Sequence, residues 1–146
     1  MRFLVQRVSE ASVEVENNRV GSIGQGFLVF IGITHSDTMA QADYLIKKLL
    51  GLRIFEDAQG KTNRSIEDVK GSLLLISQFT LYADTRKGNR PSFTEAAGAL
   101  QAKDLYEYII DECKKSPLPV EKGIFGADMK VHLINDGPFT VLLEAE

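Results

Sequence analysis

From residue 2 to residue 16 apolar and polar positions alternate loosely, with Val5, Val8, Val13 and Val15 among the apolar ones, until Asn17-Asn18 breaks the pattern. A period of two marks half-buried strands, so the stretch predicts two strands separated by a bend near Ser9-Glu10, then a hairpin into residues 19–23. Gly24-Gln25-Gly26 is a further turn, and Phe27-Leu28-Val29-Phe30-Ile31-Gly32-Ile33 follows with no charged residue. A run apolar at both parities predicts a central strand covered on both faces. The rhythm changes over 38–50, where Ala42, Leu45, Ile46, Leu49 and Leu50 recur at helical spacing, with Ser36 or Asp37 as cap and Gly51 as stop.

Residues 52–55 predict a short strand, Asp57-Ala58-Gln59-Gly60 a turn, 61–70 a polar loop, and 72–77 a second buried strand. Ser92-Phe93-Thr94-Glu95 has the form of a capping box, so a helix is expected to begin there and to be divided at Gly98. Its longer part, 100–115, turns Leu105, Ile109 and Cys113 inward and stops before Pro117-Leu118-Pro119. Two more strands are expected over 129–134 and 139–143. Strands outnumber helices, which predicts an α+β fold: a mostly antiparallel or mixed sheet with two main helices on one face. The sheet's second face needs cover, which favours a homodimer.

At 146 residues the chain fits a single domain, 1–146, with an ordinary 44% hydrophobic and 25% charged residues. A polar residue arrives too early for a secretory core after Met1, and no apolar run approaches the roughly 18 residues of a spanning helix. A cytoplasmic protein without membrane partners is expected. The net charge of -3 argues against broad nucleic-acid binding but leaves room for a local basic patch. Cys113, alone, allows no internal disulfide and is expected to be an inert core thiol.

Two stretches carry candidate chemistry. The buried strand 72–77 runs out into Ser77-Gln78-Phe79-Thr80-Leu81, so a rigid element delivers hydroxyl and amide groups to the open. Near the C-terminus, Asn135-Asp136-Gly137-Pro138-Phe139-Thr140 places Gly-Pro at the junction of two strands. It is either a plain turn or a fixed, side-chain-free backbone that projects its carbonyls. The two stretches are expected to form one site.

The usual hydrolytic groups are missing. The two histidines, His35 and His132, lie in no metal-ligand spacing; His132 is expected in solvent, and His35 as a cap or in solvent. No metal and no cofactor are expected. Thr80 therefore either has a partner not evident in sequence, or the substrate supplies the missing group while the protein supplies position and backbone dipoles. Between the motifs, Arg86-Lys87-Gly88-Asn89-Arg90-Pro91 carries three cations in five positions, as a solvated turn or as a phosphate contact.

These two motifs, with Gln6-Arg7-Val8, Arg53-Ile54-Phe55 and the cationic loop, resemble the D-aminoacyl-tRNA deacylase family, also called D-tyrosyl-tRNA deacylases, along the whole chain. The resemblance implies an ester hydrolase that frees a D-amino acid from tRNA, or glycine mischarged on tRNA-Ala. It implies a homodimer in which a cis Gly137-Pro138 bond enters the partner's pocket and sets two carbonyls where an L side chain would go. Ser77, Gln78 and Thr80 would be catalytic; Phe79, Gly137, Pro138 and Arg7 would bind substrate. Arg7 would brace the Gly-Pro loop through a bond to its backbone, where residue pattern alone allows a surface strand arginine. Backbone amides near Phe79 and Thr80 would hold the oxyanion. The 2′-hydroxyl of the terminal adenosine would help activate water, with Thr80 as covalent nucleophile the other mechanism. Outside the family, the alternatives are a non-catalytic nucleic-acid-binding protein and a general small-ester hydrolase.

Overall fold

The computed structural model describes residues 1–146. Its strands are β1 (Arg2–Val15), β2 (Asn18–Ile23), β3 (Gly26–Gly32), β4 (Phe55–Glu56), β5 (Thr62–Arg64), β6 (Ser72–Ser77), β7 (Val120–Lys122) and β8 (Lys130–Glu144). Its helices are α1 (Met39–Gly51) and α2 (Ala99–Cys113), with a 3₁₀ turn at Phe79–Tyr82. No helix is long and apolar enough to cross a membrane.

β1 is the spine. One edge pairs antiparallel with β8 from Arg2↔Glu144 to Glu14↔Lys130, and the other pairs first with β3 and then with β2. β3 continues into β6 and β6 into β7, both parallel, with α1 and α2 as the crossovers. The sheet is therefore mixed, with both helices on one face.

The expected bend at Ser9-Glu10 does not divide β1. Val8 faces Asn135 and Glu10 faces Ile134, so two steps on β1 match one on β8: a β-bulge inside a continuous strand. The strands expected over 129–134 and 139–143 are likewise parts of one strand, β8, which starts one residue later, at Lys130. The expected loop at 61–70 also contains β5, which forms a hairpin with β4 around the predicted turn at 57–60.

Strict alternation along the central strands supplies both faces of the core. Phe27, Val29, Ile31, Leu73 and Leu75 point to the helices, meeting Leu45 and Leu49 of α1 and Ile109 and Cys113 of α2. Leu28, Leu74 and Ile76 point the other way into a smaller cluster with Val8, Val13 and Ile23. β2 curls across β6 and β7 to close that side. Much of the second face is covered by the chain itself, so cover for the sheet does not by itself call for a second copy. Apolar surface remains instead on β8, where Ile134 is 54% and Leu142 48% exposed. Cys113 is buried as expected, and burial pushes its thiol up to about 12, which leaves it inert.

Both helix starts differ from expectation. Thr38, not Ser36 or Asp37, caps α1, in a reciprocal capping box with Gln41. Asp37 is taken by a partner distant in sequence: its Oδ1 lies 2.7 Å from the Met1 ammonium, with the two groups 1% and 0% exposed. Its Oδ2 accepts from Thr34 N–H, and the ammonium also donates to Ala145 O. α2 begins only after Gly98, because residues 92–97 are held in tertiary contacts instead: Ala97 N–H donates to Ile33 O, and the Thr34 hydroxyl to Glu95 O.

Removing Asp37 leaves an ammonium buried without its counter-charge. Asp37→Ala is expected to lower unfolding free energy by about 3–5 kcal/mol. Urea denaturation measures it; a loss within the range of surface ion pairs, under about 1 kcal/mol, would contradict the buried-pair account.

Candidate active site

Ser77 is the last residue of a strand whose preceding side chains, Leu73 to Ile76, are buried. Parallel pairing places it opposite Ile31, and Gln78 N–H donates to Ile31 O at 2.8 Å, ending the ladder. Tyr106 of α2 fixes the same strand from below, donating its hydroxyl to Leu75 O at 2.8 Å; burial pushes that hydroxyl up to about 12. The chain then turns into the 3₁₀ segment at the mouth of a cavity of about 610 Å³. Ser77, Gln78 and Phe79 line it at the end of β6, and Ala97, Ala102, Phe125 and Met129 supply much of its apolar surface. Phe79, 55% exposed, meets Phe93 edge to face at 5.1 Å across the rim. An apolar slot with a few polar groups at one end suits a flat ring that carries a polar reacting group.

Thr80 is exposed beside the rim and does not line the cavity. Its Oγ1 accepts a hydrogen bond from the Gln78 side-chain amide. An amide cannot take a proton, so this contact orients Thr80 without activating it. The Phe79 and Thr80 N–H groups donate to no acceptor in the chain, as expected of the first residues of a helical turn, and are free to hold an anionic oxygen.

Gly137, Pro138 and Arg7 do not join this cavity. Arg7 and Asp136 border a separate polar cavity of about 520 Å³ with Gln25, Arg64 and Lys70. Arg7 pairs with Phe27 and Ser77 with Ile31, four residues further along β3, an offset of about 13 Å, with β1 and β3 standing between the two motifs. Within one chain the expectation of a single site is not met.

The Gly-Pro segment is built with care. Gln6 faces Thr140 and Val8 faces Asn135, so two steps on β1 span five on β8 and three extra residues loop out. Their peptide Gly137-Pro138 is cis, with Gly137 at φ +143. A Cβ at Gly137 would sit 2.9 Å from Phe139 N and 3.1 Å from Arg7 Nη2, so no side chain fits. Arg7 is 7% exposed, not the surface strand arginine that pattern alone permits. Its Nε donates to Asp136 O at 2.9 Å, its Nη1 to Ile54 O at 2.6 Å, and its guanidinium lies 4.9 Å from the Phe139 ring centroid.

Two positioning groups escaped sequence reasoning. The Asn135 side chain accepts from Phe139 N–H and donates to Phe139 O and Arg7 O, replacing the backbone partner lost where the strand loops out. An asparagine four residues before the end of a Gly-Pro loop was the available signal, since Asn readily mimics a backbone turn. His35 neither caps nor merely faces water: its Nε2–H donates to Thr94 O at 2.7 Å, tying the wall segment beside Phe93 to the β3–α1 turn. His132 is exposed as expected, 3.6 Å from Glu14.

Comparison with known proteins identifies the class. The family pattern described as D-Tyr-tRNA(Tyr) deacylase matches residues 4–144. A D-aminoacyl-tRNA deacylase of Solibacter usitatus (strain Ellin6076) is 52% identical over 146 residues, covering 100% of this chain and 97% of the relative. One of Clostridium botulinum (strain Alaska E43 / Type E3) is 54% identical over 145 residues, covering 99% and 97%. Among solved structures, one described as "c-Myc DNA Unwinding Element Binding Protein" superposes with TM-score 0.95 at 40% identity, covering 100% of this chain and 99% of that one. Another, described as "Structural Analysis of a probable eukaryotic D-amino acid tRNA deacylase", gives TM-score 0.79 at 18% identity over 97% of both chains, a likeness of fold alone. The class is thus that of enzymes that deacylate aminoacyl-tRNA. The chain belongs to the D-Tyr-tRNA(Tyr) deacylase family, and its enzymatic activity is that of a D-aminoacyl-tRNA deacylase.

The Asn135 bonds make a direct prediction. Asn135→Ala is expected to destabilise the fold by about 1–3 kcal/mol and to speed hydrogen exchange at the Phe139 amide. Unchanged protection of that amide would show that the side chain does not hold the loop.

Proposed function

We propose that the protein, in the cytoplasm, hydrolyses the ester of D-aminoacyl-tRNA, and of glycine mischarged on tRNA-Ala, as a homodimer in which each Gly137-Pro138 loop completes the partner's cavity. The observation that carries this reading is the separation of the two motifs. In one chain the braced, exposed Gly-Pro loop borders only the polar cavity beside Arg7 and Asp136, and neither Gly137 nor Pro138 lines the cavity of the Ser77-Gln78 rim. A two-fold contact through the apolar outer positions of β8 would bring the loop of each copy to the other.

In this arrangement the terminal adenine occupies the apolar slot and the ester carbonyl lies at the rim. Water adds to the carbonyl carbon, the oxyanion is held by the free Phe79 and Thr80 N–H groups, and the C–O3′ bond breaks with a proton passing to the 3′ oxygen. Free amino acid and tRNA leave. Ser77, Gln78 and Thr80 carry no basic group, and the one carboxylate that lines the cavity is Asp128; in this reading the neighbouring 2′-hydroxyl of the ribose assists the proton transfer. Ser77 and Gln78 orient the substrate, and Thr80, held as an acceptor by Gln78, is a positioning group, not a nucleophile. The loop carbonyls, kept in place by Arg7 and Asn135, occupy the space an L side chain requires. A D side chain points away, and glycine has none to exclude.

A second reading draws on the 40% identical solved structure, whose name is that of a protein binding a DNA element: nucleic-acid binding without chemistry. It predicts salt-sensitive binding to uncharged nucleic acid and no release of amino acid.

Deacylation of D-Tyr-tRNA, Gly-tRNA and L-Tyr-tRNA by the purified protein separates the readings: the first two are expected to be cleaved and the third spared. Equal cleavage of the L ester would overturn the carbonyl screen. A substrate ending in 2′-deoxyadenosine should react at least about 100-fold more slowly, the usual worth of a proton-transfer partner. Thr80→Val should keep turnover within about tenfold of wild type, a barrier change under about 1.4 kcal/mol; complete loss would restore the covalent mechanism.

A further inference from the structure

The cationic loop between the two halves of the cavity rim has no part in the chemistry above. Its roots are both in that rim: Phe79 opens the 3₁₀ turn that leads to Asp84, and Phe93 follows Ser92 directly. Asp84 N–H donates to Ser92 O at 2.8 Å and Ser92 N–H returns to Asp84 O at 2.9 Å, a closed neck from which seven exposed residues, 85–91, stand out beside the opening.

The three cations of this loop are not equivalent. Arg86 is held by Asp84 through both Nε and Nη2, at 2.8 and 2.7 Å, and that guanidinium holds the Asp84 carboxyl down to about 2. The pair is internally neutral and stiffens the base of the loop. Lys87 and Arg90 are fully outward, make no ion pair and donate no side-chain hydrogen bond to the chain. Gly88 between them takes φ +138 with open space around it, which lets the tip turn without a side chain in the way. On a chain of net charge -3, two uncommitted cations on a stiffened projection at the mouth of the reactive cavity form a local exception to the field a polyanion meets elsewhere.

We infer that Lys87 and Arg90 bind the phosphates of the tRNA strand leading into the cavity, and so seat the 3′ end in the slot. This inference rests on the deacylase reading. A base held in the slot must trail its sugar-phosphate chain out over the rim, where the loop stands. Phosphate contacts set position and carry no sequence information, which suits a site that must accept many tRNA bodies.

The test compares two esters: D-Tyr-tRNA, and D-tyrosyl adenosine, which has no phosphate. Lys87→Ala and Arg90→Ala are each expected to lower kcat/KM on the tRNA ester roughly tenfold, and each to flatten its dependence on log salt by about 0.7. Neither should change turnover of the adenosine ester. Lys47→Ala, which removes an exposed cation on α1, should leave both esters unaffected and controls for net charge. The urea midpoint of each variant should match wild type, since the side chains touch nothing. Equal losses on both esters, or an unchanged salt slope on the tRNA ester, would overturn the inference while leaving the deacylase reading intact. Where the adenosine ester reacts too slowly to measure, the salt slope decides. A wild-type protein inactive on both esters would overturn the functional reading and this inference with it.

Discussion

A guanidinium buried under a strand imposes more on this structure than any other single group. Arg7 cannot shed its charge, and at 7% exposure it must find acceptors inside the protein. It finds Ile54 O ahead of β4 and Asp136 O in the β8 excursion, and it lies against Phe139. The excursion is therefore not a slack loop. Three extra residues leave the β1–β8 ladder, and their backbone groups are taken up by Arg7 and by the Asn135 amide. The carbonyls that remain free are fixed in space, as a steric screen requires.

The same strand that carries Arg7 sets the distance between the screen and the chemistry. β1 pairs with β8 on one side and β3 on the other, and β3 passes the register to β6, which ends in Ser77. Burial on both faces makes β3 and β6 rigid, so the rim groups are held by the core and not by a flexible loop. That rigidity also keeps the Gly-Pro segment and the Ser77-Gln78 rim apart within a chain. In the function we propose, their cooperation requires a second copy, and the site would then test handedness with backbone atoms while the substrate assists the proton transfer.

Much of this was legible in residues whose structure is decided locally. Phe27 to Ile33 reads as a strand covered on both faces because every position is apolar, and so it is. The α1 stripe of Ala42, Leu45, Ile46 and Leu49 reads correctly for the same reason. Errors arose where distant partners won. Asp37 has the composition of a cap but is taken by an ammonium 36 residues away, leaving Thr38 and Gln41 to form the capping box. Ser92-Phe93-Thr94-Glu95 has the pattern of a helix start, yet Thr34, His35 and Asp84 hold its backbone in another shape. The break expected in β8 was legible as Gly-Pro, but the continuity was not, because it depends on a side chain, Asn135, standing in for a peptide group. The burial of Arg7 was invisible to alternation; only the resemblance to the deacylases gave it a bracing role.

The claim on which the account turns is that the loop of one copy serves the rim of the other, and mixing two defective proteins tests it most directly. One variant disables the loop by Gly137→Val and the other disables the rim by Gln78→Ala, each inactive alone. Co-refolded together, they should recover about a quarter of wild-type D-Tyr-tRNA hydrolysis, since half the dimers are mixed and each mixed dimer holds one intact site. No recovery, with mixed dimers shown to form, would mean that loop and rim act within one chain and would contradict the account.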